Sequence, residues 1–330
     1  MKHPLLRAFA LAFGFGFGCV AAAQSHPASE AQTYPSKPIR LILPFAAGSS
    51  VDTVARLVAQ GLGVVLGQQV VVDNRGAGGG IIGTELGAKA PPDGYTLLMS
   101  NAAFAITPSL LSKLPYDPLK DFVPITQLTM LPYLLVSNPA LPANSLQELI
   151  ALAKAKPGQI SFASSGNGSG THLTGAMLKS VAGIDIVHVP YRGFPVATAD
   201  LLSGRVHLAF NTIPSLLPHV RSGKLRALVL TVERRSPLLP EVPTSAESGL
   251  ARFKSSTWHG IFLPAGTPKA LISHVNAALV RVINSSEMNK QLLSRGAEPV
   301  GSTPEQFAAF VRQEIAKWKS VIEATGATVD

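Results

Sequence analysis

Cysteine, aromatic side chains and acidic side chains are all scarce in this sequence of 330 residues. It has one cysteine, Cys19, and aromatic residues make up 6% of it. A single cysteine excludes an intramolecular disulfide framework and a metal site built from cysteines. Acids number 19 against 28 lysines and arginines, which gives a formal net charge of +9. Because the basic residues are dispersed and few rings are available for base stacking, we expect no nucleic-acid partner.

Charged residues are also few, at 14%, whereas hydrophobic residues make up 46% of the chain. This balance excludes an intrinsically disordered protein and a coiled coil. A chain of this length can bury a large core, and two domains are the simplest expectation.

The first 23 residues have the pattern of a secretory signal peptide. Lys2 and Arg7 lie before the apolar stretch 8–20, and Ala21–Ala23 supplies an A-x-A cleavage site. The apolar stretch is too short to span a bilayer comfortably. Cleavage would remove the cysteine and lower the net charge from +9 to +7, because two basic residues leave and no acid does. We therefore expect an exported protein, the alternative being a lipoprotein acylated at Cys19.

Apolar, strand-like segments alternate with helical patterns along the chain. Residues 39–45 predict a buried strand, and the apolar positions of 51–66 recur at helical spacing. Repeated β-α-β order predicts an α/β fold with mostly parallel sheets flanked by helices. The other predicted strands are 69–73, 95–100, 123–137, 160–163, 186–189, 206–210, 225–232 and 258–262, and the other helices are 81–90, 145–155, 171–182, 195–203, 213–222, 268–284, 287–295 and 303–325.

The apolar run 123–137 is too long for one ordinary strand, so we expect it to cross between two domains. A second crossing is expected near 253–264. The resulting domain 1 comprises 34–127 with roughly 253–330, domain 2 comprises 128–252, and a cleft lies between them.

Ligands of open parallel α/β sheets bind beyond the carboxyl ends of the strands, which selects the loop 44–53 first. Gly48 permits a sharp turn there, and Ser49 or Ser50 can cap the next helix. A helix N-terminus with free N–H groups is an anion site. The spacing from Ser49 to Asp52 also resembles a capping box, so ordinary helix capping remains an alternative.

A glycine-rich loop, 76–80, precedes another predicted helix. Gly78, Gly80 and Gly83 formally match a dinucleotide-binding fingerprint. However, the next strand ends in Ser100-Asn101 rather than in an acid that would hold a ribose, so we expect no nucleotide cofactor. Close approach of the loop backbone to a small ligand is the better interpretation.

The loop 164–172 is rich in hydroxyl groups and backbone donors, as expected for a cradle around an anion. His172 falls in the first turn of the following helix, where a structural role is more common than a catalytic one. Two further loops that follow strands are 190–193 and Asn211-Thr212.

Motifs for catalysis and metal binding are missing from the sequence. It contains no G-x-S-x-G elbow and no H-E-x-x-H, and its eight histidines show no paired ligand spacing. We therefore expect neither an enzyme nor a bound metal or cofactor. A triad of Ser169, His172 and Asp52 is not selected by any pattern, but a secreted hydrolase using Ser169 or Ser165 remains an alternative.

Short motifs of a known family extend over the chain after the signal peptide. They are Tyr34-Pro35-x-Lys37-Pro38-Ile39-Arg40, Pro44-Phe45-Ala46-Ala47-Gly48, Asp52-x-x-Ala55-Arg56, Asn74-Arg75, Pro92-Asp93-Gly94-Tyr95-Thr96-Leu97, His172-Leu173, His188-Val189-Pro190-Tyr191-Arg192-Gly193, Gly223-Lys224-Leu225-Arg226-Ala227-Leu228, Pro240-x-Val242-Pro243-Thr244-x-x-Glu247-x-Gly249 and Pro264-Ala265-Gly266-Thr267-Pro268. Together they resemble the Bug family, the periplasmic substrate-binding receptors of tripartite tricarboxylate transporters.

The resemblance implies a two-domain periplasmic binding protein, type II-like, whose cleft closes on a small organic carboxylate. It also implies transporter membrane subunits as partners, and we expect a monomer. The ligand-binding residues that it implies are Phe45, Ala47, Gly48, Ser49, Ser50 and Asp52 from domain 1, and Ser165, Gly166, Thr171, His172 and Asn211 from domain 2.

Some positions depart from the usual pattern of the family. Ser49 and Ser50 stand where glycines are usual, Phe194-Pro195 where small residues are usual, and Asn211 where aspartate is frequent. These departures leave the ligand open. The expected function is capture of a carboxylate for a transporter, and a ligand sensor for a signalling receptor is the alternative among binding proteins.

Overall fold

A computed structural model describes residues 34–328, so the predicted signal peptide, with Cys19, lies outside the described residues. Within this part of the chain there are ten strands and ten α-helices. The strands are β1 (Ile39–Leu43), β2 (Val70–Asn74), β3 (Thr96–Asn101), β4 (Phe122–Ser137), β5 (Ser161–Ser164), β6 (Val187–Pro190), β7 (Leu208–Thr212), β8 (Arg226–Leu230), β9 (Ser256–Pro264) and β10 (Glu298–Pro299). The helices are α1 (Ser50–Leu66), α2 (Ile81–Ala88), α3 (Ala103–Leu110), α4 (Leu146–Ala155), α5 (Gly170–Ala182), α6 (Phe194–Ser203), α7 (Ile213–Arg221), α8 (Lys269–Ile283), α9 (Ser286–Ser294) and α10 (Pro304–Thr325).

Strand β4 belongs to two sheets. Its first part pairs with β9 as far as Pro132 opposite Ser256, and its last part pairs with β7 from Tyr133 opposite Thr212 onward. The first sheet has the order β2-β1-β3-β9-β4, with β10 on the other edge of β4. The second sheet has the order β8-β4-β7-β5-β6. One continuous strand therefore connects both halves of the molecule.

Each sheet contains both parallel and antiparallel ladders. The ladders β2-β1-β3 and β7-β5-β6 are parallel, whereas every ladder made by β4 or β9 is antiparallel. The α/β fold class is confirmed, with helices on both faces of the sheets. The antiparallel strand β9 departs from the regular β-α-β order because a long segment without a crossover helix precedes it.

Three hydrophobic clusters form the core. Helices α1, α8 and α9 cover one face of the first sheet. Helices α6 and α7 cover one face of the second sheet. The opposite faces of both sheets share a single cluster with α3, α4, α5 and α10. The two sheets are thus joined by apolar packing as well as by β4.

Helix α10 packs against α3 and β4 and continues to α5. Its Glu314 is buried, with 6% of its surface exposed. The carboxylate accepts hydrogen bonds from the indole N–H groups of Trp258 and Trp318, at 3.2 and 3.1 Å, and pairs with Lys317. These bonds satisfy a charge that would otherwise be costly to bury. The bond from Trp258, a residue of β9, attaches α10 to that strand.

No sequence pattern predicts α3 or the two-residue strand β10. Helix α3 contains Pro108, and its N-cap position is Ala102, which forms no side-chain cap. It also has apolar residues on all sides, so neither a start signal nor a helical period marks it. The division into domains at 127/128 remains a prediction.

No helix among residues 34–328 is both long and apolar enough to cross a membrane.

Gly260 in β9 offers a test of core packing. A Cβ at this position would overlap the ring of Phe307, which is fully buried. We expect Gly260→Ala to lower the free energy of unfolding by about 1–3 kcal/mol, and Phe307→Ala by about 3–5 kcal/mol. In the Phe307→Ala background the added methyl should be nearly neutral, because the ring is gone. Urea unfolding of the wild type, the two single variants and the double variant measures these free energies. If Gly260→Ala lowers the free energy of unfolding equally in both backgrounds, Gly260 does not pack against the Phe307 ring.

Candidate functional site

The carboxyl ends of strands from both sheets meet at the same part of β4. Asn101, the last residue of β3, lies opposite His259, which in turn lies opposite Thr129 of β4. Thr212, the last residue of β7, lies opposite Tyr133 of β4. The loops that follow the parallel strands of each sheet therefore converge from two sides, which is where open α/β sheets bind ligands.

The loop after β1 ends in the N-terminus of α1. Ser49 is the N-cap residue, and its hydroxyl accepts the backbone N–H of Asp52 at 3.2 Å. The carboxylate of Asp52 accepts the N–H of Gly48 at 2.9 Å. The reciprocal pair resembles a capping box in which the carboxylate reaches one residue further back. The first two N–H groups of α1, at Ser50 and Val51, have no acceptor within the helix.

Asp52 is held by partners on three sides. It is 3% exposed, and besides Gly48 it accepts hydrogen bonds from Arg56 Nε at 3.0 Å and Asn74 Nδ2 at 3.0 Å. Burial disfavours the charged form, but these hydrogen bonds and the charge of Arg56 outweigh burial and lower the pKa of the carboxyl. Both oxygens are thus engaged within the protein, which favours helix capping over contact of Asp52 with a ligand.

Phe45 is half-buried, whereas Ala47 and Gly48 are exposed at the tip of this loop. The cavity that touches Phe45 measures about 10 Å³, roughly the room that one water needs. The loop alone therefore does not enclose an organic ligand, and the other wall of a site has to come from the second sheet.

The glycine loop 76–80 packs against the loop after β1. A Cβ on Gly76 would lie 2.8 Å from the backbone nitrogen of Ala46, and one on Gly80 would lie 2.7 Å from the carbonyl oxygen of Pro44. Gly83 meets the carbonyl oxygen of Arg75 in the same way, at 2.7 Å. Backbone-to-backbone packing therefore requires Gly76, Gly80 and Gly83, and it accounts for two glycines of the apparent nucleotide fingerprint, Gly80 and Gly83.

The loop after β5 is held by its own hydroxyl groups. Ser165 donates its N–H to the hydroxyl of Thr171 at 3.0 Å. Ser169 is the N-cap of α5: its hydroxyl accepts the N–H of His172 and donates to the carbonyl of Gly166 at 2.7 Å. The N-terminus of α5 thus follows the carboxyl end of β5 in the second sheet, just as the N-terminus of α1 follows the carboxyl end of β1 in the first sheet.

The hydrogen bonds of Ser169, His172 and Asp52 do not form a triad. The ring nitrogen Nδ1 of His172 accepts the N–H of Gly168 at 3.1 Å, and the hydroxyl of Ser169 is directed to Gly166. Asp52 is engaged with Gly48, Arg56 and Asn74. Ser169 and His172 therefore hold the loop before α5, whereas Asp52 holds the loop before α1.

Asn211 and the 190–193 loop complete the second side. The side chain of Asn211 accepts the N–H of Thr212, the N-cap of α7, at 2.7 Å. Tyr191 donates its N–H to the carbonyl of Ser164 at 3.2 Å, which places this loop beside Ser165 and Gly166. The second group of sequence-selected residues is thus gathered around the ends of β5 and β7.

Sequence reasoning did not select Arg56, Asn74, Ser164 or His188 as site residues, although family motifs contain three of them. Asn74 and Arg56 fix Asp52, and Ser164 Oγ lies 2.6 Å from His188 Nε2. The i,i+4 spacing of Asp52 and Arg56 could have indicated that pair. The contacts of Asn74 with Asp52 and of Ser164 with His188 join residues 22 and 24 positions apart, which no local pattern shows. Among residues 34–328, no group of three or more His, Cys, Asp or Glu side chains could hold a metal ion.

Comparisons with known proteins agree with this geometry. The sequence model described as tripartite tricarboxylate transporter family receptor, TctC, matches residues 54–327. Protein BugT of Bordetella pertussis is 41% identical over 299 residues, which are 90% of this chain and 92% of BugT. These matches define a solute-binding protein of the periplasmic type. The geometry agrees, because two sets of loops converge from sheets that one strand joins.

Solved structures show the same fold. A protein of R. palustris with adipate is 33% identical, with a TM-score of 0.78, over 89% of this chain and 99% of its own. MatC from Rhodopseudomonas palustris with bound malate is 33% identical, with a TM-score of 0.73, over 88% of this chain and 100% of its own. The chain belongs to the tripartite tricarboxylate transporter receptor family, the Bug family that its motifs resemble.

Asp52→Asn tests the role of the buried carboxylate. An amide nitrogen would face an N–H donor at this position, so we expect a loss of about 1–3 kcal/mol at pH 7. Because the folded pKa lies below the ordinary 3.8, the stabilisation is complete above 3.8 and is lost as the pH falls through the folded pKa. The difference in urea midpoint between wild type and variant should stay constant from pH 7 to 5 and narrow below 3.8.

The control for this experiment is Asp185→Asn, which removes an exposed partner of Lys179 and should change the midpoint little. A difference between wild type and Asp52→Asn that stays the same at pH 3 would contradict the assignment of Asp52 as the titrating group.

Proposed function

We propose that this chain binds a small organic carboxylate between the loop after β1 and the loop after β5, and delivers it to the membrane subunits of a tripartite tricarboxylate-type transporter. The observation that carries the proposal is the register at β4, which brings the ends of β3 and β7 to Thr129 and Tyr133. The N-termini of α1 and α5 follow the neighbouring parallel strands, β1 and β5. Helix N-termini stabilise anions through free N–H groups and the helix dipole.

The proposed contacts with the carboxylate are mainly backbone N–H groups and small hydroxyls. They come from Phe45, Ala47, Gly48, Ser49 and Ser50 on one side, and from Ser165, Gly166, Thr171, His172 and Asn211 on the other. We place Asp52 behind this surface, where it fixes Gly48 and thereby the loop. Since Asp52 is paired with Arg56, its charge does not oppose an incoming carboxylate strongly.

Adipate and malate, the ligands in the two structures of relatives, support the choice of a carboxylate. They also support a binding role rather than catalysis, as do the local roles of Ser169 and His172. The signal-peptide pattern of residues 1–23 supports a periplasmic location. We further propose that domains 34–127 with 253–330 and 128–252 close on the ligand as a monomer by bending near residues 129–133 of β4.

Thermal unfolding of the mature protein with a panel of carboxylates tests the proposal. The panel contains malate, adipate, citrate, acidic and neutral amino acids, and aromatic acids. A ligand at 100 times its dissociation constant adds about 2.7 kcal/mol, which corresponds to a rise of about 5–10 °C in the midpoint. We expect one chemical class to give such a shift.

Ala47→Asp shows whether the shift comes from the proposed loop. Ala47 is exposed, and a negative charge there should repel the carboxylate and remove the shift. Ala140→Asp, at an exposed turn after β4, is the matched control and should keep it. Protein that has been unfolded, dialysed and refolded excludes prior occupancy. If refolded protein ignores every carboxylate, or if Ala47→Asp keeps the full shift, the proposed site is wrong.

A further inference from the structure

A cavity separate from the small one at Phe45 lies next to the loop after β5. It is enclosed by α5, β6 and the C-terminal end of α10. Its volume is about 540 Å³, within the range of small-molecule sites. Its polar lining comes from Asn167, His172, Lys179, Ser180, His188, Thr325 and Thr328. No Asp or Glu is present among the described residues that line it. The titratable groups of the cavity wall are therefore all bases.

Three rings form a stack in this wall. The rings of His172 and His188 are nearly parallel, with centroids 3.9 Å apart and 10° between their planes. Phe162 stacks on the other side of His188 at 5.0 Å. The stack fixes the position of both imidazoles, so their ring nitrogens are preorganised rather than free to rotate.

Hydrogen bonds distinguish the two histidines. Nδ1 of His172 accepts the N–H of Gly168, so a neutral His172 carries its proton on Nε2 and can donate from there. A second proton would displace the bond from Gly168. His188 instead lies 2.6 Å from the hydroxyl of Ser164 through Nε2, and a doubly protonated His188 can keep that bond as a donor. His188 is thus the imidazole that can gain a proton without loss of a hydrogen bond.

The surroundings of the cavity favour the neutral form of both imidazoles. Burial lowers the pKa of both imidazoles, that of His188 to about 4, with His172 and Lys179 as further causes for His188. Asp185 pairs with Lys179 at 3.1 Å but is exposed and does not line the cavity. Residues 324–328 of the α10 end carry no charged side chain. Among residues 34–328, no carboxylate lines the cavity to compensate Lys179 from inside.

We propose that this cavity is a second anion site, which takes a small oxyanion between Lys179, His188 and the Nε2–H of neutral His172. Such an anion favours the charged form of His188, so binding and proton uptake are linked. The site differs from the proposed carboxylate site in Lys179 and His188, but it shares His172 and the loop after β5 with that site, since Ser164 and Gly168 are held by the same two imidazoles.

Inorganic sulfate is the probe, because it does not titrate between pH 4 and 8. The imidazole Cε1–H signals of the mature protein are followed by NMR against pH, with and without sulfate at matched ionic strength. We expect sulfate to raise the pKa of His188 from about 4 towards the ordinary 6.5. Sulfate affinity should then rise as the pH falls, by up to about tenfold per pH unit where one proton is taken up.

Three variants make the test specific. Lys179→Gln should abolish the effect of sulfate on His188, and Asp185→Asn, which frees Lys179, should strengthen sulfate binding. Lys154→Gln, at an exposed position of α4, is the matched control and should change nothing. A titration of His188 that is the same with and without sulfate would overturn the proposal, as would an unchanged effect in Lys179→Gln.

Ala47→Asp separates this proposal from the proposed function. Its sulfate response at His188 should equal that of the wild type, whether or not any carboxylate binds between the loops after β1 and β5. Loss of the response in Ala47→Asp would place the sulfate in that other site and overturn the second anion site.

Discussion

The pairing of β4 with two sheets is the constraint on which the rest of the structure depends. Its ladder with β9 ends where its ladder with β7 begins, at Pro132 and Tyr133. Hydrogen bonds fix the register on both sides of this point. The carboxyl ends of the parallel strands in both sheets are therefore brought to the same level along β4. The convergence of the loops after β1 and β5 follows from that register, without a direct bond between the loops.

Neutral groups dominate the two converging loops. The N–H groups of α1 and α5 have preset directions because Ser49 and Ser169 cap the helices with their own hydroxyls. The buried charge of Asp52 stabilises the backbone of Gly48 and is itself compensated by Arg56. A backbone surface of this kind can replace the water around a carboxylate while leaving the identity of the ligand to the surrounding side chains. Relatives with adipate and with malate are consistent with this division of roles.

Helix α10 adds a second connection between the sheets. It extends from α3 to α5 over the shared hydrophobic cluster, and the bond from the Trp258 indole to Glu314 attaches it to β9. Any bending at β4 has to be accommodated at its contacts with α5, since a packed helix interface does not deform continuously. The cavity beside the stacked histidines lies at the C-terminal end of this helix, where a small displacement has room.

Periodicity and glycine positions in the sequence determine most of the helices and strands, since a repeat of 3.6 or 2 residues depends only on which faces are apolar. They also identify 44–53 and 164–172 as loops between strand and helix, and the motifs identify the family. Helix α3 escapes this reasoning because it is apolar all round. Tertiary structure alone decided the direction of β9 and the partners of the site residues: Asp52 meets Asn74, 22 positions away, and Ser164 meets His188, 24 positions away. Such contacts depend on strand register, and register is set by the packing of the whole sheet rather than by any local pattern.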